Sequence, residues 1–232
     1  MISESVLKTL LYFDIETTGC YETFDELLSK DPRLAHLWEK RCVWLRKNSG
    51  PDLADATEEQ LWQEKSSLHP EFGRVVCVSF GAYQNDELKV QSFTGGEAEI
   101  LTNTNKVMNN AFTKGMKLAG HTIKNFDIPY LGKRMLVHRV EPSPLIFSLN
   151  RKPWDSPYLD ISEIFSFGGW GQTHTSLDLM SALLGVNSPK DDMIGSQVHN
   201  QFYNLGNIDE IKKYCEKDVV CVADCFKKLS FS

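Results

Sequence analysis

The 232 residues are 41% hydrophobic and 24% charged, a balance that supports a buried core and suits one large domain or one domain with a sizeable insertion. No run approaches the roughly 20 apolar residues of a bilayer span, and no basic region with a long apolar run opens the chain, so the expectation is a soluble, cytoplasmic protein. The net charge of −6 excludes a general attraction to nucleic acid, yet residues 114–155 carry eight basic and three acidic side chains, which either track phosphates locally or form a solvated surface.

In chain order, LKTLLYFDI predicts a buried strand over residues 6–13 that ends in ETTGC, where Gly19 permits a turn. Residues 21–71 then interrupt the α/β pattern with two or three helices. Leu34, Leu37, Trp38, Val43, Trp44 and Leu45 are dense enough there to pack onto something. Trp38, Trp44 and Trp62 suit core positions, or stacking on bases. RVVCVSFGAY and ELKVQSFT flank Gln84-Asn85-Asp86 as a hairpin. A helix over 97–112, a short strand at MKLAGH and a helix over 126–138 follow, the last with Pro129 near its start. YLDI reads as one more strand. Thr175-Ser176-Leu177-Asp178 matches a capping box opening a helix through Leu184, closed by Gly185, and residues 209–229 form the last helix. Strands interleaved with helices, then a helical tail, indicate an α/β sheet of mixed strand directions. The six cysteines form no metal-ligand spacing and read as reduced, mostly buried thiols.

Three segments carry candidate chemistry. Asp14 and Glu16 lie two apart at the end of the first strand, so both carboxylates leave one face. Two acids placed together call for a cation, and hard oxygen ligands suit Mg²⁺ or Mn²⁺. Asp127 sits among Ile123, Phe126, Ile128, Tyr130 and Leu131, where a buried carboxylate needs a partner or a metal; a helix N-cap is the other reading. Asp218 lies one helical turn after Tyr214, and the two share a face with Ile211, Val219 and Val222. A phenol there can orient or deprotonate a water, or simply be packed.

Together FDIETTG, GHTIKNFDIPYL and YCEKD resemble, in order and spacing, the three motifs of the DEDD superfamily of 3′-to-5′ exonucleases. The second is similar to the proofreading domains of family B DNA polymerases. The stretch from SLDLMSALLGVNSPKDDMIGSQV to YCEKDVV resembles stand-alone exonucleases related to those domains, and roughly residues 20–70 match nothing. The resemblance implies a ribonuclease H-like, mixed five-stranded sheet flanked by helices. It implies that residues 1–232 form a single exonuclease domain with a helical insertion at about 21–71. It further implies that Asp14, Glu16, Asp127 and Asp218 bind two divalent cations, Mg²⁺ or Mn²⁺. Lys213 stands where one subclass has histidine and Tyr214 where the other has tyrosine, so the tyrosine subclass is expected. The implied substrate is single-stranded or 3′-terminal DNA, hydrolysed to nucleoside 5′-monophosphates, with a separate DNA polymerase or replication protein as a candidate partner. Thr17, Asn125, Phe126 and Lys190 are the expected substrate contacts. Ile123 and Thr122 occupy the positions where the second motif usually has asparagine, a departure that touches substrate contact rather than the metal site. An RNA-trimming exonuclease, a structure-specific endonuclease and a non-catalytic module binding nucleic-acid ends or replication proteins are the alternatives.

Overall fold

The computed structural model describes residues 2–147, 155–167, 175–188 and 193–230. The elements run α1 (Glu4–Leu7), β1 (Leu10–Gly19), α2 (Phe24–Lys30), α3 (Pro32–Asn48), α4 (Glu58–Lys65), β2 (Gly73–Gln84), β3 (Glu87–Thr94), α5 (Glu97–Thr113), β4 (Lys117–Gly120), α6 (Asp127–Val137), β5 (Tyr158–Asp160), α7 (Ile161–Phe165), α8 (Leu177–Leu184), α9 (Val198–Tyr203) and α10 (Ile208–Lys228). Five strands form one sheet in the order β3-β2-β1-β4-β5. The pairs β1–β2 and β2–β3 are antiparallel, while β1–β4 and β4–β5 are parallel. This is the mixed five-stranded, ribonuclease H-like sheet that the motifs imply.

Both faces of the sheet are covered. On one, Phe13, Ile15, Val78 and Phe80 pack with Ile100, Leu101 and Met108 of α5 and Leu131 and Met135 of α6. On the other, Tyr12 and Ala119 pack with Met180 of α8 and Val219, Val222 and Phe226 of α10. Side chains alternate along a strand, so Asp14 and Glu16 project on the same face as Tyr12, toward α10. α10 lies close to the sheet because Gly81 leaves it room: a Cβ there would sit 2.7 Å from Val219 Cγ1. The β2–β3 hairpin turns on Asn85 and Asp86 alone, both at positive φ (50° and 66°), which matches the twist of the flanking strands.

The expected insertion is present as three helices, α2 to α4, with their own core. Trp38 meets Trp62 edge to face at 5.1 Å and Phe72 at 5.0 Å, with Leu27, Ala35, Cys42, Leu45 and Leu61 around them. Only part of the expected packing set is inside, since Leu37, Val43 and Trp44 are exposed at 46%, 51% and 52%. Those three lie across α3 from Ala35, Trp38, Cys42 and Leu45, which fill its inner face.

Two further expectations need correction. β1 begins at Leu10, after a helical turn in which the Thr9 hydroxyl donates to the Val6 carbonyl. It does not turn at Gly19: Thr17, Thr18 and Gly19 still pair with Val75, Arg74 and Gly73. The α8 start is shifted by one residue. Ser176 is the cap, its hydroxyl accepting the Leu179 amide, while the Thr175 carbonyl is engaged by His121 Nε2 at 2.8 Å. Asp178 is therefore no partner in a capping box; its carboxylate accepts the Ser188 hydroxyl. The six thiols are unpaired by disulfides, and five are buried as expected.

Candidate active site

The site forms where β4 stops. β4 pairs with β1 only through Leu10, Leu11 and Tyr12 and ends at Gly120, so β1 beyond Tyr12 has no strand on that side. Gly120 lets the chain turn away at close quarters, since a Cβ there would meet Ile123 Cγ2 at 2.2 Å and the Phe13 carbonyl oxygen at 2.9 Å. Residues 121–126 are held by Asp160 at the end of β5, which accepts the Thr122 amide at 2.8 Å and the Lys124 amide at 3.2 Å. The loop delivers Asp127 as the first residue of α6, with Phe126 as cap, so the N-cap reading of Asp127 does not hold. Its Oδ1 accepts the Ile15 amide at 3.2 Å, in the place where a neighbouring strand would otherwise bond. Asp127 is thereby fixed between Asp14 and Glu16.

On the opposite strand neighbour, Asp14 and Glu16 register with Ser79 and Cys77 of β2. A bulge follows, with Val76 as the extra residue, and increases the local twist at the end of β1. α10 supplies the rest. Tyr214, Cys215 and Asp218 lie on its buried face with Ile211, Val219 and Val222. The Cys215 thiol donates to both the carbonyl and Oδ2 of Asp14 at 3.4 Å. Ligand atoms of Asp14, Glu16 and Cys215 all lie within 4.8 Å of one another.

Burial and like charge govern the electrostatics. Glu16, Asp127 and Asp218 are 7%, 4% and 9% exposed. Burial, then the charges of Asp218, Glu16 and Asp127, hold the Asp14 carboxyl well above the usual range. Burial and Asp218 do the same to Glu16. Asp127 is pushed up to about 7, first by burial and then by Asp160 and Asp218, against the opposing pull of its backbone hydrogen bonds. The Tyr214 phenol is pushed far above its ordinary value by burial and by Asp218, Glu16 and Asp14. Asp14 and Glu16 each feel Asp127 and Asp218, and Tyr214 feels Asp14, Glu16 and Asp218, so residues distant in sequence come together along one stretch of β1. A crowd of carboxylate oxygens in low dielectric is a donor set that fits a hard divalent cation, whose charge would relieve the repulsion.

The substrate-contact candidates are more scattered. Thr17 is buried and its hydroxyl donates to the Ser67 carbonyl at 2.9 Å. Asn125 is exposed. Phe126 is half-buried, its ring 5.4 Å from that of Tyr130. Lys190 lies outside the described residues. Ile123, at a position where asparagine is usual, is a core residue, and Thr122 takes a positive φ of 63°. Lys213 is on the exposed side of α10, paired with Glu210 at 2.6 Å.

A family described as predicted 3′-5′ exonucleases related to the exonuclease domain of PolB matches residues 66–226. The chain belongs to this family. No curated protein matches it. The exonuclease family span takes in Asp127, Tyr214 and Asp218, whereas Asp14, Glu16 and the helices α2 to α4 precede it. Membership makes the activity class that of a hydrolase acting on nucleic acid. No helix among the described residues is long and apolar enough to cross a membrane.

Three residues around this carboxylate centre escaped the sequence reading. Cys215 lies inside YCEKD, but nothing in a lone cysteine says that its sulfur will touch an acid 201 positions away. Asp160 ends YLDI, and its role in holding the loop before Asp127 depends on strand order. His199 was equally silent; its Nδ1 meets the Thr18 hydroxyl and its Nε2 the Glu22 carbonyl, both at 2.8 Å, fixing the exit of β1.

Proposed function

We propose that the protein hydrolyses single-stranded DNA from the 3′ end and releases nucleoside 5′-monophosphates, residues 1–232 acting as one exonuclease domain with a helical insertion at about 21–71. In this reading Asp14, Glu16, Asp127 and Asp218 bind two divalent cations, Mg²⁺ or Mn²⁺. The carrying observation is the convergence of four acids, Glu16, Asp127 and Asp218 buried and Asp14 half-buried, with burial and mutual repulsion holding up the carboxyls of Asp14, Glu16 and Asp127. Bound cations would supply charge to neutralise the attacked phosphate and acidify a water.

The chain's own residues do the positioning. The Tyr214 phenol, on the face of α10 that carries Asp218, orients the attacking water by a hydrogen bond. Cys215 steadies Asp14 from behind, and the Ile15 amide fixes Asp127. Asn125 and Phe126 offer surface to the terminal nucleotide. The Thr17 hydroxyl is already committed to Ser67, so Thr17 shapes the pocket wall instead.

The test is a 5′-labelled DNA oligonucleotide, with a matched RNA, incubated in Mg²⁺ and then in EDTA. A ladder shortening from the 3′ end of the DNA, abolished by chelation, is the expected result. Internal cuts on a circular single strand would instead make the protein an endonuclease, and faster loss of the RNA would reassign the substrate.

A further inference from the structure

Outside the carboxylate centre, the most unusual surface is the outer face of α3. An α-helix repeats every 3.6 residues, so Arg33, Leu37, Lys40, Trp44 and Lys47 fall on one stripe, opposite the buried Ala35, Trp38, Cys42 and Leu45. All five are exposed. None of Arg33, Lys40 and Lys47 has an ion-pair partner among the described residues. Arg41 flanks the stripe with its guanidinium carbon 5.7 Å from the centre of the Trp44 ring, which orders the indole. The single acid of α3, Glu39, lies toward the other flank and meets His36. A run of cations and an aromatic without interleaved acids is at odds with a chain of net charge −6.

α3 reaches toward the site through its inner face and its Arg41 flank. Trp38, one turn before Cys42 on the inner face, sits 6.3 Å from the His69 ring. His69 closes the turn after α4, next to Ser67, whose carbonyl holds Thr17. The charges of Arg41 and of Lys133 on α6, the latter paired with Glu71 at 2.6 Å, both bear on His69, so the Arg41 flank of α3 lies toward the helix that begins with Asp127. From Arg33 to Lys47 the stripe extends about 21 Å, room for several stacked nucleotides.

We infer that α3 is the binding track for the single-stranded nucleic acid lying upstream of the 3′ end in the carboxylate centre, with Trp44 stacking on a base and Lys40, Arg41 and Lys47 meeting phosphates. Base stacking on an aromatic with cations along the backbone is the general chemistry of single-strand binding. The direction of the strand rests on the exonuclease reading; the binding surface itself does not. A folded protein partner would need an apolar centre with charges at the rim, whereas here cations alternate with Leu37 and Trp44 along the whole stripe.

The experiment is fluorescence anisotropy on the full chain in EDTA, with DNA and RNA of about 12 nucleotides and a trinucleotide as the short control. Trp44→Ala should weaken the longer strand about tenfold and erase most of its advantage over the trinucleotide. Lys40→Ala/Lys47→Ala should reduce the slope of log affinity against log salt by about 1.4, the share of two phosphate contacts on a single strand. Both sites are exposed, and unchanged circular dichroism would show that the fold is kept. Unaltered affinity and salt slope in both variants would overturn the assignment, even in an active exonuclease. So would binding to anionic lipid vesicles without binding to either oligonucleotide. Conversely, loss of strand binding in the variants of a protein that shows no nuclease activity in Mg²⁺ would keep the track and sink the exonuclease reading.

Discussion

Asp14 has little freedom: its carboxylate is crowded by Asp218, Glu16 and Asp127 and touched by one thiol. Removing its charge should therefore have opposite effects on activity and stability. Asp14→Asn is expected to abolish nuclease activity while raising the metal-free protein's stability at pH 8 by about 1 kcal/mol, read as a higher denaturant midpoint. A lowered midpoint would mean that the repulsion is not there. Tyr214→Phe should cut turnover by about tenfold to a hundredfold with little change in Mg²⁺ affinity by calorimetry. Lost metal binding in that variant would give the phenol a structural role. Within the candidate site, the pairs Asp14–Glu16 and Tyr214–Asp218 were legible from a spacing that sets a face of a strand or a helix, Asp127 from its apolar neighbours, and the joining of the five only from the motif resemblance. Cys215 and Asp160 were not, since each acquires its role only through a neighbour brought in by the sheet.

At the scale of elements, strand and helix types follow the periodicity, and the errors lie at boundaries. β1 runs through Gly19 because β2 is long enough to pair with it, which no local signal in ETTG announces. Trp44 was grouped with Trp38 by density, although helical spacing places the two on opposite sides of α3. The junction of α5, α6 and β2 is held by Glu97. Its carboxylate accepts the Val75 amide at 2.9 Å, Arg134 at 2.6 and 2.8 Å and His138 at 2.8 Å. Burial pushes its pKa up, but Arg134, Val75 and His138 outweigh it and the net direction is down. Glu97→Gln leaves the Arg134 guanidinium buried without its counter-charge and should cost about 3 kcal/mol in denaturant unfolding. A loss below about 0.5 kcal/mol would show that Arg134 finds another partner.

For the molecule as a whole, the site's acids set a pH dependence opposite in sign to ordinary acid denaturation. Folded Asp127 has its pKa raised to about 7, above the roughly 3.9 of an unfolded chain. Its contribution is complete below the unfolded value and disappears as pH climbs through the folded one; Asp14 and Glu16 act in the same direction. In EDTA the melting temperature should thus fall between about pH 4 and 7 on this account, while Glu97 contributes in the reverse sense at lower pH. Mg²⁺ should raise the melting temperature at pH 8 and much less at pH 5, where protons compete for the same oxygens. An equal rise at both would locate the cation elsewhere. The sheet and its motifs were readable from the chain because each depends on a short repeat. The use of the insertion was not, because it depends on which side of α3 meets water.

The bond from the Ile15 amide to Asp127 has a practical bearing on the choice of an inactive control. Truncating Asp127 to alanine would strand a buried main-chain donor, a defect worth about 1–3 kcal/mol by itself. Such a mutant would confound loss of catalysis with loss of folded protein. Asp127→Asn keeps the acceptor oxygen, and Asp14→Asn spares this contact altogether. Comparing alanine with asparagine at position 127, by soluble yield and melting, separates the acid's architectural duty from its chemical one.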